Sequence, residues 1–493
     1  MCPFPRLPAT AAFALAAAFA VLAPVQARHL FLDPAFVTEQ AGTTLTVNPP
    51  FRSDVVIRRD RPWESFMITF YLSVLDEDGK LRMWYDTRES TTVAHLAYAE
   101  STDGLNWSKP ELGIAEHRGS TANNLVGISS LEGNVFRDPH ARTAAERYVY
   151  VSTVFKGGGI YRFTSPDGLR WSRDTKPLLP FEADSQNVTL WDEQLGRYVL
   201  FLRAWDRKDP RNQWRRLVRL EADRLDAPLP VVPSGTGGHQ ADRARDPFIT
   251  TEIPVMLRLD AADPADTDIY TSAIQRYPLA PEWYVGFPSL YRHHDARSKL
   301  RNDGRTETHF IASRDGLKWE RYSRQPYIRP GLAGSESANM VYVGTGLVVR
   351  GDEIWHFATG YRTTHGDTPG RQRESDGVIF RHVQRVDGFV SLDFGTMGAH
   401  ATTAPVNITE ACLRLNLDTG ALGELRVALV DATTGAEIPG FAAADCVPLE
   451  GNATGAVVQW QRGSDLDALR HRTVKLRFSG SRTKLYSFRF APQ

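Results

Sequence analysis

The stretch Ser101-Thr102-Asp103-Gly104-Leu105-Asn106-Trp107 recurs as Ser165-Pro166-Asp167-Gly168-Leu169-Arg170-Trp171 and again as Ser313-Arg314-Asp315-Gly316-Leu317-Lys318-Trp319. Each copy reads S-x-D-G-L-x-W. A short Asp bonds back to nearby backbone, Gly accepts positive φ, and Trp fills the space between adjacent sheets, so the stretch predicts a tight turn between packed strands. Weaker copies stand at Glu221-Ala222-Asp223 and at Arg385-Val386-Asp387-Gly388-Phe389. The five aspartates are spaced by 56 to 92 residues. Five units of about 71 residues fill the span from about 35 to about 393, a period that signals a repeat architecture.

A second element recurs inside each unit. Met83-Trp84-Tyr85, Tyr148-Val149-Tyr150-Val151, Tyr198-Val199-Leu200-Phe201-Leu202, Trp283-Tyr284-Val285-Gly286-Phe287 and Ile354-Trp355-His356-Phe357 read as aromatic strands, each preceded by a turn and a shorter strand. The order of strand, hairpin, aromatic strand, strand and D-G turn describes a four-stranded antiparallel blade. From residue 394 the signature stops and period-two alternation takes over, as in Cys412-Leu413-Arg414-Leu415-Asn416-Leu417 and Val474-Lys475-Leu476-Arg477-Phe478. The expected fold is all-β: a five-bladed β-propeller over 28–393, followed by a C-terminal β-sandwich over 394–493. The Gly/Pro/Asp-rich stretch 228–248 reads as an inserted loop.

Composition narrows the function. Lys and Arg number 58 against 58 Asp and Glu, so the formal net charge is zero. A nucleic-acid binder carries a basic surplus to neutralise phosphates, and none is present. Residues 1–27 have the pattern of a secretory signal: Arg6, an apolar run from Ala11 to Ala23, and Val25-Gln26-Ala27 ahead of the cleavage point. The apolar run is too short to span a bilayer, which needs about 20 residues. A secreted or periplasmic chain with no membrane attachment after cleavage is expected. Cys412 and Cys446 remain in the mature chain, compatible with a disulfide or with two buried thiols.

In a propeller the innermost strands line a central channel. Aligning the five inner strands on their aromatic partners puts a carboxylate at the start of each: Glu64, Glu132, Asp184, Asp268 and Glu336. A Ser/Gly-rich loop precedes Glu132, and Gly133 follows it. Like charges around one funnel raise one another's pKa values, so one member stays protonated while another is ionised. Glycosidic cleavage uses that split, with one carboxyl protonating the leaving oxygen and another acting as nucleophile or base. Glu64, Asp184, Asp268 and Glu336 are therefore the expected catalytic residues; rim ion pairs are the alternative for any one of them. Trp63, Arg88, Asn187, Tyr270 and His365 are expected substrate contacts, Trp63 suiting an inter-blade core position equally well. Asp138, in Arg137-Asp138-Pro139, follows its strand and reads as a turn residue. No EF-hand-like loop occurs, and neither a metal nor a cofactor is expected.

The five-blade spacing, the S-x-D-G-L-x-W turns and the channel carboxylates resemble glycoside hydrolases of the fructosidase/arabinanase type. The likeness covers about 28–393 and is nearest to secreted bacterial proteins similar to the N-terminal domain of family 32 hydrolases, through Asp184-Ser185-Gln186-Asn187-Val188, Asp268-Ile269-Tyr270-Thr271 and Gly360-Tyr361 to His365-Gly366. The W-x-N-D-P-N-G nucleophile motif and the E-C acid motif of fructosidases are absent. The resemblance implies a hydrolase acting on a polysaccharide or oligosaccharide, with a non-catalytic carbohydrate-binding propeller as the rival reading.

Overall fold

The computed structural model describes residues 27–129, 132–154, 158–205, 215–231, 255–294, 303–366 and 376–493. The expected signal segment up to residue 26, and 232–248 of the expected inserted loop, lie outside them. The described chain is all-β, and its only helical pieces are single 3-10 turns such as Pro62–Glu64.

Five consecutive sheet regions carry the repeat. The first pairs Met67–Glu77, Lys80–Arg88 and Ala94–Ser101. The second orders Asn134–Arg137, Tyr148–Val154, Gly159–Ser165 and Ser172–Arg173, and the third Val188–Asp192, Arg197–Trp205, Arg215–Ala222 and Val255–Leu257. The fourth is split into two three-stranded sheets, Thr267–Thr271 with Ser289–His293 and Gly304–Thr308, and Gln275–Tyr277 with Ala280–Gly286 and Ile311–Ser313. Pro288, which cannot donate to a ladder, and Ala273, at φ +43°, sit at the break. The fifth joins Met340–Val343, Glu353–Tyr361 and Val378–Arg385 to the N-terminal strand Arg52–Ile57.

Hydrogen bonds connect each region to the next. Val135 N–H donates to Ser73 Oγ at 2.9 Å, Thr189 N–H to Asn134 Oδ1 at 2.7 Å, Ser185 Oγ to the Tyr270 carbonyl at 2.8 Å, and Val341 N–H to Thr306 Oγ1 at 3.1 Å. The fifth region returns to the first, with Thr345 N–H on the Leu72 carbonyl at 3.0 Å and Val74 N–H on the Thr345 carbonyl at 2.9 Å.

The repeated turns have one geometry. In each, the first Ser hydroxyl accepts the Gly N–H (2.8–2.9 Å), and one Asp oxygen accepts the next two N–H groups at 2.8 Å. The Trp indole closes on the Gly carbonyl at 3.0–3.2 Å. The turns also dock between regions: Trp84 Nε1 donates to the Gly168 carbonyl at 2.6 Å, and Arg381 donates to the Asp103 carbonyl at 3.3 Å. At the hairpin ends, the Tyr148 hydroxyl donates to Glu77 (2.8 and 2.9 Å), Tyr198 to Asp138 (2.9 and 2.8 Å), and Tyr284 to Asp192. Asp138, a turn residue that also accepts His140 N–H at 2.9 Å, is thus a fastener between regions.

The remaining strands form two sheets. One orders Thr43–Val47, Val390–Phe394, Lys484–Ala491, Cys412–Asp418 and Asn452–Val457, with Arg28–Leu30 on Lys484–Ala491. The other orders Val37–Ala41, Ala399–Thr403, Thr473–Ser481 and Val406–Asn407, with Glu424–Asp431 on Thr473–Ser481. Leu392, Leu413, Leu415, Val427, Phe478 and Phe488 share one apolar core between them, as the period-two alternation requires. Strand pairing moves the expected boundary: 28–47 belongs to these C-terminal sheets, because alternation marks a strand without naming its partner. Cys412 and Cys446 are free buried thiols.

Gly168 and Gly196 both have positive φ, but a Cβ on Gly168 would lie 2.7 Å from the Trp84 ring, whereas one on Gly196 meets nothing. Gly196→Ala is expected to cost about 1–2 kcal/mol from backbone strain alone, and Gly168→Ala about 1–3 kcal/mol more from overpacking. Equal losses in denaturant titrations would show that the turn does not fasten the sheets. Tyr198→Phe, which strips a donor from buried Asp138, should cost about 1–3 kcal/mol in the same measurement.

Candidate functional site

The predicted carboxylates stand in very different surroundings. Glu64 ends the 3-10 turn Pro62–Glu64 and is fully buried. Its carboxylate accepts from the Tyr85 hydroxyl (2.6 Å), Lys109 Nζ (2.7 and 2.8 Å) and the N–H groups of Asp60 (2.9 Å) and Arg61 (3.1 Å). Four donors occupy it and no solvent reaches it, so Glu64 anchors the turn. Trp63 beside it is buried against Ile57, Ile68 and Tyr85, with its indole N–H on Asn124 Oδ1 at 2.9 Å. It is a core residue, not a platform for a sugar. Glu336 is partly exposed and paired with Arg58.

Asp184 and Glu132 come together. Asp184 is ion-paired with Arg203 at 3.2 Å, and 28% of its side chain is reached by solvent. Glu132 is buried, and its backbone N–H donates to Asp86 Oδ2 at 3.1 Å. Three residues here adopt left-handed backbone without being glycine: Glu132 (φ 80°), Asp184 (φ 50°) and Ser185 (φ 84°). Such conformations cost roughly 1–3 kcal/mol each and persist only where the surroundings over-determine them. Asn187 supplies that determination. Its N–H and Nδ2 donate to the Glu132 carbonyl at 2.7 and 2.9 Å, and Nδ2 also reaches Thr153 Oγ1 and the Ser185 carbonyl, both at 3.1 Å. Fully buried, Asn187 holds the two acidic segments in place and is not a substrate contact.

Burial pushes the Glu132 carboxyl well above the usual carboxylate range, and the neighbouring Asp184 pushes it further, against Arg88 and Arg203. Its Oε2 has no hydrogen-bond partner. Burial also raises Asp86 to about 8, opposed by the Glu132 N–H and by Arg88. Arg88 is half-buried beside these acids and donates to the Thr91 carbonyl at 3.2 Å. The Tyr71 hydroxyl is raised by burial and then by Tyr270, Glu132 and Asp184, which puts it in the same cluster.

Asp268 belongs to a separate pairing. Burial works to raise it, but His293 at 2.8 Å and Arg215 at 2.7 Å outweigh that and hold it below its ordinary range. It is a fully buried ion-pair partner. Tyr270 and His365 share a hydrogen bond of 2.8 Å inside an aromatic group with Phe70, Tyr71, Tyr291 and Tyr342. The guanidinium groups of Arg203 and Arg215 lie 4.2 and 5.1 Å from the Tyr270 ring centroid. Both rings are buried, so they wall the acidic cluster rather than open onto solvent.

No known family and no curated protein matches the chain. Among solved structures it is similar to an N-acetylgalactosamine deacetylase from F. plautii in complex with blood group B trisaccharide, at 12% identity over 70% of this chain and 96% of that one, with a TM-score of 0.44. It is also similar to the catalytic domain of a Coprinopsis cinerea GH62 alpha-L-arabinofuranosidase, at 11% over 70% and 98% (TM-score 0.40), and to a family 117 glycoside hydrolase of Zobellia galactanivorans, at 12% over 69% and 90% (TM-score 0.37). At that level the likeness leaves activity to be argued from the chain's own residues.

Asp86, Arg203 and Arg215 were not singled out in the sequence. Only Arg203 carries a sequence signal, as a lone charge in the otherwise aromatic and apolar run Tyr198 to Ala204. Because the folded state favours protonated Asp86, the stability it contributes is complete below about pH 4, the unfolded value, and is lost as pH rises through about 8. Asp86→Asn should therefore flatten the fall of melting temperature between those limits. Parallel curves for wild type and variant would refute the buried, raised carboxyl.

Proposed function

We propose that the chain is a secreted glycoside hydrolase in which Glu132 is the general acid and Asp184 the base or nucleophile. One observation carries this reading: a buried carboxyl raised by its surroundings lies beside a solvent-reached carboxylate paired with Arg203. That is the split in protonation that glycosidic cleavage uses. Glu132 O–H protonates the leaving glycosidic oxygen as the C–O bond breaks. Asp184 either bonds to the anomeric carbon or takes a proton from the attacking water. A carboxyl separation of about 5–5.5 Å would give retention and about 6.5–9.5 Å inversion. Asp86 and Arg88 tune Glu132, and the substrate is a neutral polysaccharide or oligosaccharide.

The scaffold in this reading is a five-bladed β-propeller over about 52–385, with a β-sandwich built from 28–47 and 390–491. The cycle of hydrogen bonds from the first sheet region to the fifth and back, and the N-terminal strand on the last sheet, support the propeller. The core shared by the two remaining sheets supports the sandwich. Secretion rests on the pattern of residues 1–27. No helix among the described residues is long and apolar enough to cross a membrane.

A glycan panel assayed for new reducing ends tests the function. Glu132→Gln and Asp184→Asn should each lower kcat by about 100-fold or more, whereas Glu336→Gln should leave it close to wild type. Wild-type protein that binds glycans and releases no reducing end would sink the hydrolase reading in favour of a non-catalytic carbohydrate-binding propeller.

A further inference from the structure

A second chemical group stands outside the acidic cluster. Glu89 follows the strand Lys80–Arg88, His95 is the second residue of Ala94–Ser101, and His117 opens a hairpin in which His117 and Ser120 exchange N–H···O bonds of 2.9 and 3.1 Å. Arg118 and Gly119, the two residues of that turn, both have positive φ (51° and 81°), the conformation of a tight two-residue hairpin. Separate pieces of chain thus bring two imidazoles and a carboxylate to one place. Glu89 Oε2 lies 2.8 Å from His117 Nε2 and 3.9 Å from His95 Nε2. One ligand atom from each residue falls within 4.8 Å of the others. The two imidazole rings are crossed at 83° with centroids 5.8 Å apart, and Trp63 packs edge-on against His117 at 5.4 Å.

This is not a solvated surface cluster. All three residues are half-buried. His95 Nε2 is shielded from solvent and has no hydrogen-bond partner, since Glu89 at 3.9 Å is too far. A buried polar nitrogen without a partner calls for an explanation, and a ligand is one. The two oxygens of Glu89 are divided in use: Oε1 is held by Arg118, and Oε2 faces the histidines. Arg118, 69% exposed, therefore orients the carboxylate from the solvent side without occupying the oxygen between the rings. Zinc takes imidazole nitrogen and carboxylate oxygen at about 2.0–2.2 Å, so its ligand atoms stand about 3.3 Å apart in a tetrahedron. The 2.8 and 3.9 Å separations bracket that value.

We propose that Glu89, His95 and His117 form a binding site for a zinc-class divalent cation, with three protein ligands and an open fourth position. Two nitrogens and one oxygen favour zinc over calcium or magnesium, which prefer all-oxygen sets. The cation would tie the loop after Arg88 to the 117–120 hairpin, bracing the segment that carries Asp86 and Arg88. The site stands independently of the glycosidase reading, because metal binding is measured directly.

The test uses untagged protein stripped with chelator and titrated with zinc chloride by calorimetry, with metal content checked by mass spectrometry. Wild type should bind one equivalent, with millimolar calcium producing no heat. His95→Ala and His117→Ala should each weaken binding by about 100-fold or more, while Asp184→Asn binds as wild type does. Zinc should also raise the melting temperature of wild type and not of either His variant. Should a variant fail to fold, X-ray absorption of zinc-loaded wild type decides, with imidazole scattering near about 2.0 Å expected. Absence of stoichiometric binding, binding that survives both substitutions, or a zinc spectrum without imidazole would overturn the proposal.

Discussion

The structure depends on a hydrogen bond repeated between neighbouring sheets. A carboxylate in the first hairpin of one sheet region accepts the hydroxyl of a tyrosine in the aromatic strand of the next: Glu77 from Tyr148, Asp138 from Tyr198, and Asp192 from Tyr284. Sheets packed face to face by apolar side chains can slide, because dispersion and burial are not directional. A buried charge-assisted hydrogen bond is directional, and leaving its acceptor unpaired is expensive. The three tyrosines therefore fix neighbouring sheets against each other, and the D-G turns add further links, with Trp84 on Gly168 and Arg381 on Asp103. The fifth region meets the first through an ion pair, Arg350 to Asp76 at 2.7 Å.

Those fasteners lie at the hairpin ends of the inner strands, and that has a consequence for the opposite ends. With the hairpins held, the segments before the strands can carry strained backbone without loosening the contacts between sheets. Glu132, Asp184 and Ser185 are where that freedom is used. Strain of this kind points to function only when the surroundings explain how it is held, and Asn187 bonded to the Glu132 and Ser185 carbonyls does so. The same logic separates the acids. Glu64 and Asp268 are surrounded by donors and cations, whereas Glu132 is buried beside another acid with one oxygen unpartnered. Burial alone does not mark a reactive carboxyl; burial without sufficient partners does.

The turns were legible in the sequence because their determinants are local: Asp103, Gly104 and Trp107 bond within six residues of one another. The aromatic strands were legible for the same reason, and so was the alternation of the C-terminal strands. The site was only partly legible. Alignment of strand starts treats Glu64, Glu132, Asp184, Asp268 and Glu336 as equivalent, whereas the structure gives them different surroundings. Their difference lies in partners supplied from elsewhere in the chain: Lys109 for Glu64, Arg215 and His293 for Asp268, and Arg58 for Glu336. A one-dimensional register cannot contain those partners. Asp86 escaped notice because its meaning comes from the Glu132 N–H, 46 residues away.

The N-terminal segment joins the two halves of the architecture. Residues 28–47 pair with the C-terminal sheets, and 52–57 then supplies the outer strand of the fifth region. The segment 28–57 is thus held at one end by the C-terminal sheets and at the other by the fifth sheet region. Asp387 sits at that junction, accepting from Arg28 at 2.6 Å, Tyr277 at 2.5 Å and Ser487 at 2.7 Å. It is the fifth copy of the turn aspartate, and it has exchanged the local bonds of Asp103 for three long-range ones. A repeat that elsewhere fastens one sheet to its neighbour here fastens the repeat array to the C-terminal sheets. The weakness of this copy in the sequence is thus the mark of its different task.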